Sequence, residues 1–312
     1  MATVRELLDA GVARLRASGS ETARLDAELL LAHALDVDRT AVIANWSAPV
    51  GDSAAARFRD VLERRAAGEP VAYIRGVKEF RGLAFGVDDR ALIPRPETER
   101  LVELAELEIV GRLVGAPRPP GSPPIRVADV GTGTGAVVVS LAVLLKKRRM
   151  LEEVALTAID ISEDALQLAK ENAVGHAIAD RITFEVADLL PDYRMGGWDV
   201  VVANLPYVRT DAIPGLPIAA SFEPVLALDG GPDGLQVIAR LLDQLPGELA
   251  EDGAALLEIG GDQEQGMREL AAERLPGWGL EIERDLGGLP RVAILRHPAQ
   301  RPEADPGAGP AS

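Results

Sequence analysis

The chain has 312 residues, 47% of them hydrophobic, which is enough for the packed cores of two domains. The absence of cysteine excludes disulfides and thiolate metal sites and suits a reducing cytoplasm, and the three scattered histidines, His33, His176 and His297, do not suggest a metal site. A formal charge of −16 argues against clamping nucleic acid over a broad basic face, and the apolar runs are too short and interrupted for a transmembrane span.

From Ala2 to about Gly68 the pattern is helical. Val4, Leu7, Leu8, Val12 and Leu15 recur at three- and four-residue spacing, as do Leu25, Leu29, Ala32 and Leu35. The opening MATVRELLDAGVARLR alternates charge with apolar residues and lacks the continuous apolar stretch of a signal peptide. Ser20 is the expected N-cap of a second helix. Ser53 is the expected cap of a last one, Ala54 to Ala67, that Gly68 and Pro70 end. Residues 1–70 therefore read as a small helical bundle with no titratable constellation, a structural or substrate-docking module.

Residues 71–90 read as a β-hairpin linker. Val71, Tyr73, Phe80, Leu83, Phe85 and Val87 suggest short strands, with turns at Gly76 and Gly82. Ile93-Pro94-Arg95-Pro96-Glu97-Thr98-Glu99 then opens a helix, Pro96 suiting the first turn and the acids its N-terminus. The two prolines around Arg95 leave two readings open, a rigid helix start or a placed functional arginine. Gly111 to Pro124 is a Pro/Gly-rich connection.

After it, strands alternate with helices: strand 125–130, helix 137–147, strand 155–159, helix 163–172, strands 182–186 and 200–203, helix 235–245, strand 254–259, helix 263–274, and a closing pair near Leu280 and Val292. That order predicts a doubly wound, mostly parallel sheet over residues 91–297, with an antiparallel hairpin at its edge. The tail 298–312 reads as disordered.

Three segments at strand ends carry chemistry. Asp129 to Ala136, DVGTGTGA, lies between a strand and a helix, where glycines let the backbone turn tightly and approach a ligand; Gly131, Gly133 and Ala136 also satisfy the dinucleotide pattern. Asp160 ends the second strand, placed to accept both hydroxyls of an adenosine ribose in NAD and S-adenosylmethionine enzymes alike, while Ser162 is better placed to cap the next helix. Asp188 follows the third strand and suits an adenine amino group, with Leu189 as an apolar face for the ring.

The fourth strand, Val200 to Ala203, is a β-branched run of the kind buried on both faces, and it stops at Asn204-Leu205-Pro206-Tyr207. Hydride transfer has no use for this motif. N-methylation of a planar nitrogen does, because its delocalised lone pair makes it a poor nucleophile. The Asn204 oxygen and a backbone carbonyl fixed by Pro206 can accept from its hydrogens and aim it at a methyl donor, while Tyr207 packs on the flat group.

With EPVAYIRGVKEF, LIPRPETE, VADVGTGTGA, NLPY, SFEPVLALDGGPDGL and GLPRVAIL in place from about Glu69 to Arg296, the chain resembles the HemK/PrmC family of protein-(glutamine-N5) methyltransferases. The resemblance implies a class I, Rossmann-like α/β methyltransferase domain behind an N-terminal helical bundle. It implies methyl transfer from S-adenosyl-L-methionine, leaving S-adenosyl-L-homocysteine, to the glutamine N5 of the Gly-Gly-Gln motif in class 1 peptide chain release factors. By the same resemblance Gly131, Thr132, Gly133, Thr134, Gly135, Asp160, Asp188, Leu189 and Asn204 hold the cofactor. Asn204, Leu205, Pro206 and Tyr207 hold the glutamine amide, and Arg95, Glu97, Phe222, Glu223 and Pro224 shape the substrate pocket. No metal, membrane or stable nucleic-acid partner is expected, and a cytoplasmic monomer is.

One position departs from the family's usual Asn-Pro-Pro-Tyr, since Leu205 stands where the first proline is common. Asn-Leu-Pro-Tyr also resembles the motif of ribosomal RNA adenine dimethyltransferases, which makes an adenine of ribosomal RNA the second substrate to weigh. The net charge, the helical domain preceding rather than following the catalytic one, and the LIPRPETE and FEP segments stand against it. An NAD(P) oxidoreductase leaves NLPY unexplained, and an inactive binding module is at odds with the intact glycine loop, Asp160 and Asn204.

Overall fold

The structure, a computed structural model, describes residues 1–115, 118–119, 121–191 and 197–298. The expected tail from 299 onward, and residues 116, 117 and 120 of the Pro/Gly-rich connection, lie outside them. The chain divides into two compact units, one of residues 1–78, 87–89 and 216–223, the other of 79–86, 90–215 and 224 onward.

The first unit carries helices α1 (Val4–Ala17), α2 (Ala23–Leu35), α3 (Arg39–Ala44), α4 (Asp52–Ala66) and α5 (Val71–Arg75). Thr3 and Glu6 form a capping box at α1, each satisfying the other's backbone N–H. The apolar faces of α1, α2 and α4 close one core around Leu8, Leu15, Leu30, Leu31 and Phe58. Gly11 makes the α1–α4 approach possible, since a Cβ there would stand 2.7 Å from the Phe58 ring. The buried Asp26 is paired with Arg65 at 2.8 Å and the buried Glu28 with Arg24 and Arg39.

Three local expectations are corrected here. Ser20 does not cap α2, which starts at Ala23 after Thr22; its hydroxyl donates instead to Asp26. Ser53 lies inside α4, whose N-cap is Gly51. Val71 to Arg75 is a single helical turn rather than a strand. Pro70 opens it, a residue suited to a helix start, and Gly76 in the left-handed region closes it.

Strands β1 (Val77–Phe80) and β2 (Leu83–Gly86) pair as a separate two-stranded sheet. The second unit continues with α6 (Thr98–Val114), β3 (Ile125–Val130), α7 (Ala136–Arg148), β4 (Val154–Asp160), α8 (Glu163–Gly175), β5 (Ile182–Val186), β6 (Trp198–Ala203), α9 (Gln236–Glu248), β7 (Leu249–Glu258), α10 (Glu264–Arg274), β8 (Gly279–Arg284) and β9 (Pro290–Arg296). Helix α6 runs through Gly111 to Val114, so the connection expected from Gly111 begins later. Ser162 caps α8, accepting from the Ala165 N–H.

The sheet order is β5-β4-β3-β6-β7-β9-β8, parallel from β5 to β7, with β8 and β9 forming the antiparallel edge hairpin. The fold is thus a doubly wound, mostly parallel α/β sheet preceded by helices. The chain reverses its direction of growth at β3, flanked by β4 and β6. That switch point is where open α/β sheets bind ligands. One face is covered by α9 and α10, whose Ile238, Leu241, Leu242, Leu245 and Met267 pack on Val201, Ala255 and Leu257.

In the helical unit Phe58 is 1% exposed and fills the space that Gly11 opens. Phe58→Ala is expected to lower unfolding free energy by about 3–5 kcal/mol, measured by urea denaturation.

Candidate active site

At the carboxyl edge of the parallel strands the glycine loop, the ends of β4, β5 and β6, and the Arg90-to-Arg95 segment line one cleft. Gly131, Gly133 and Gly135 all have positive φ, +71°, +54° and +77°, so the loop needs residues without Cβ. The Gly131 and Thr132 N–H groups both donate to the Ile159 carbonyl of β4, and Gly133 N–H donates to Asp160 Oδ2 at 2.9 Å. Asp160 Oδ1 accepts from the Ser162 N–H, also at 2.9 Å. A carboxylate has about four lone-pair sites, so Asp160 keeps capacity to accept ligand hydroxyls. Burial raises its pKa, and the N–H donors of Ser162, Gly133 and Ile161 oppose that.

Asp129 lies behind the loop, 2% exposed, accepting from the Thr132 hydroxyl at 2.7 Å and the Val138 N–H at 3.1 Å. Burial pushes its carboxyl up to about 7. On α8, Asn172 donates to the carbonyls of Thr134 and Gly86 and accepts from Gly86 N–H, tying the loop to β2. Asp188, at the far side of the cleft, is paired with Arg240. Leu189 adopts φ 69° and is buried beside it.

At the end of β6, Asn204 Nδ2 donates to Thr98 Oγ1 at 3.0 Å, and no other side-chain bond of Asn204 is made among the described residues. The Leu205 side chain turns into the core, where a Cβ on Gly131 would meet its Cδ2 at 3.0 Å. The leucine in place of proline thus packs under the glycine loop. Gln263 clamps the turn that follows: its Nε2 donates to the carbonyls of Tyr207 and Gly234 and its Oε1 accepts from Gly260 N–H. A Cβ on Gly230 would stand 2.7 Å from the Pro206 carbonyl, and one on Gly234 2.4 Å from that of Tyr207. These contacts explain why DGGPDGL accompanies NLPY.

Of the residues singled out from the sequence, Arg95, Gly131, Thr132, Gly133, Thr134, Asp160, Asp188, Leu189, Asn204, Leu205, Pro206 and Pro224 line this cleft together. Gly135 packs instead against Ala169 of α8. Tyr207 faces a neighbouring cleft with Arg209, Gln263 and Arg291, its hydroxyl donating to Glu258 at 3.5 Å. Glu97 is exposed at the start of α6, and Phe222 and Glu223 fall in the segment 216–223 of the other unit. Among the described residues no group of three or more His, Asp or Glu is arranged to hold a metal, and no helix is long and apolar enough to cross a membrane.

Known proteins resemble the chain along nearly its whole length. The PrmC N-terminal domain model matches residues 6–76 and a methyltransferase domain model residues 122–253. A release factor glutamine methyltransferase of Moorella thermoacetica is 42% identical over 269 residues, covering 86% of this chain and 89% of that protein. The chain belongs to the release factor glutamine methyltransferase family. A second relative of that name, from Rhodopirellula baltica, is 36% identical over 94% of this chain and 96% of its own length. The human METTL16 catalytic domain, solved with an RNA hairpin, superposes with a TM-score of 0.51 at 13% identity over 76% of this chain and 82% of that one, which shows the fold alone.

The family reading accounts for the glycine loop and NLPY, but Thr98, Asp129, Asn172, Arg240, Glu258 and Gln263 were not singled out as site residues from the sequence. Glu258 follows the apolar run Ala254 to Leu257, and an acid at a buried strand end was the one available signal.

The folded Asp129 holds its proton up to about pH 7, whereas an unfolded aspartate releases it near 3.8. The folded state therefore loses stability as pH rises between those values, and no further above them. Asp129→Asn keeps an acceptor for Thr132 and Val138 without the charge. Urea unfolding at pH 5 and pH 8 should show wild type losing more stability than Asp129→Asn, by at least ~1 kcal/mol.

Proposed function

We propose that this chain transfers a methyl group from S-adenosyl-L-methionine to the side-chain amide nitrogen of the glutamine in the Gly-Gly-Gln motif of class 1 release factors. The observation that carries the reading is the Asn204–Thr98 hydrogen bond at the mouth of a glycine-loop cleft. With Nδ2 on Thr98 the oxygen is left as an acceptor, an orientation that the Thr98 hydroxyl alone does not fix.

The cleft fits the cofactor. It combines a glycine-rich loop, Asp160 with spare acceptor capacity for ribose hydroxyls, Asp188 for an adenine amine and Leu189 for the ring. When bound, S-adenosyl-L-methionine supplies an electrophilic methyl on a sulfonium. The chain's own residues do the rest by positioning. Asn204 Oδ1 and the Leu205 carbonyl, at a turn that Pro206 rigidifies and Gln263 holds, accept from the two hydrogens of the substrate amide. With both N–H bonds directed, the nitrogen's remaining face is turned toward the methyl donor. Acceptors also stabilise the positive charge that grows on nitrogen during transfer, until one of its two hydrogens is lost to solvent as a proton. Arg95 and Pro224, at the cleft wall, contact the glutamine-bearing loop.

An adenine of ribosomal RNA is the weaker reading: relatives at 36–42% identity over most of the chain are named for release factor glutamine, and the −16 charge disfavours a polyanion. The enzyme acts as a cytoplasmic monomer, with the helical unit docking the release factor.

Radiolabelled methyl transfer checks this directly. Label is expected on purified release factor, none on a variant with the motif's glutamine changed to alanine, and none on ribosomal RNA; label on RNA alone would overturn the reading. Asn204→Ala should lower kcat at least ~100-fold, the scale of a lost transition-state acceptor, while still binding the cofactor. Asp160→Ala should chiefly raise that Kd.

A further inference from the structure

A carboxamide is nearly symmetric in shape, so packing does not decide which of its ends faces a ligand; hydrogen-bond partners do. For Asn204 the question matters, because only its oxygen can receive an amide N–H. Its partner Thr98 does not settle it alone, since a hydroxyl both donates and accepts. The titratable group beside that hydroxyl is Glu258.

Glu258 is the last residue of β7, beside β6, where Ala203 pairs with Leu257. It is 1% exposed, and the Thr98 side chain lies close enough to lower its pKa. Tyr207 donates to Oε1 at 3.5 Å, and Oε2 has no hydrogen-bond partner. An ionised carboxylate only accepts, so the Thr98 proton points to Glu258 and its lone pair faces Asn204. The only fit is Asn204 Nδ2–H donating to Thr98, with Oδ1 left for the cleft. A buried, half-satisfied carboxylate is a poor way to stabilise a sheet, which argues that Glu258 serves the site rather than the core.

We propose that Glu258 is a positioning residue that, through Thr98, holds the Asn204 carboxamide with its oxygen toward the substrate. This rests on the reading that Asn204 receives the glutamine amide. Burial pushes the Glu258 carboxyl up to about 7, against the Thr98 side chain and Arg291 of β9, with Glu97 at the start of α6 raising it and Tyr207 lowering it. Below that pH a protonated Glu258 donates to Thr98, whose own proton is then free to turn to Asn204 Oδ1. The acceptor is thereby lost as pH falls.

The test compares wild type, Thr98→Val, Glu258→Leu, the double variant and Glu258→Gln. At pH 8 each disruptive single change should lower kcat at least tenfold, with KM for release factor and cofactor Kd within twofold. The double variant should be no worse than the poorer single one. Glu258→Gln, which still offers Thr98 an oxygen, should recover part of kcat and lose the acid limb near pH 7. The side-chain ¹⁵N–¹H signals of Asn204, assigned by their absence in Asn204→Ala, should titrate between pH 6 and 8 in the wild type and not in Glu258→Gln. Multiplicative losses in the double variant, or Asn204 signals that do not move in the wild type, would overturn the proposal. A wild type that titrates at Asn204 but leaves release factor unmethylated would sustain the contact and overturn the functional reading instead.

Discussion

The geometry of this site depends on backbone approaching backbone at the turn after β6. Pro206 has no N–H to continue a strand, so the chain leaves the sheet. Gln263 then catches it, donating to both Tyr207 and Gly234 while accepting from Gly260. Gly230 and Gly234 come so close to the carbonyls of Pro206 and Tyr207 that no Cβ fits. On the proposed reading, in which the site aims one nitrogen, its acceptors must be held to within a fraction of an ångström. Here that rigidity comes from a glutamine clamp and missing Cβ atoms.

The same edge of the sheet concentrates buried acids. Asp129 near the end of β3, Asp160 at the end of β4 and Glu258 at the end of β7 are all acids whose pKa burial raises. Their hydrogen-bond partners include N–H and O–H groups of Thr132, Val138, Gly133, Ser162 and Tyr207. The result is an acceptor-rich cleft, suited to ligands that present hydroxyls and N–H groups. Gly131 leaves room for Leu205, so the glycine loop and the turn after β6 rest on each other.

The parallel strands were legible because strands buried on both faces are written as continuous β-branched runs, such as Val200 to Val202. Val71 to Arg75 misled for the same reason: its valine, tyrosine and isoleucine look like a strand, yet Pro70 and Gly76 bound a single helical turn. Ser20 and Ser53 are good cap residues that the chain does not use as caps, since the turn geometry placed Thr22 and Gly51 there. In the site, residues tied to a strand end by a few positions were readable, as Gly131, Asp160 and Asn204 are. Thr98 reaches Asn204 from 106 residues away and Gln263 reaches Tyr207 from 56. Nothing local announces such meetings. The direction of Tyr207, toward Glu258 rather than the cleft of Asn204, was likewise set by folding and not by the motif.

The most direct test is a crystal structure of the enzyme with S-adenosyl-L-homocysteine and a release factor domain bearing the Gly-Gly-Gln motif. The glutamine side-chain nitrogen should lie within hydrogen-bond distance of both Asn204 Oδ1 and the Leu205 carbonyl, with Asn204 Nδ2 still on Thr98. A glutamine bound elsewhere, or an Asn204 that offers its nitrogen to the substrate, would contradict the account.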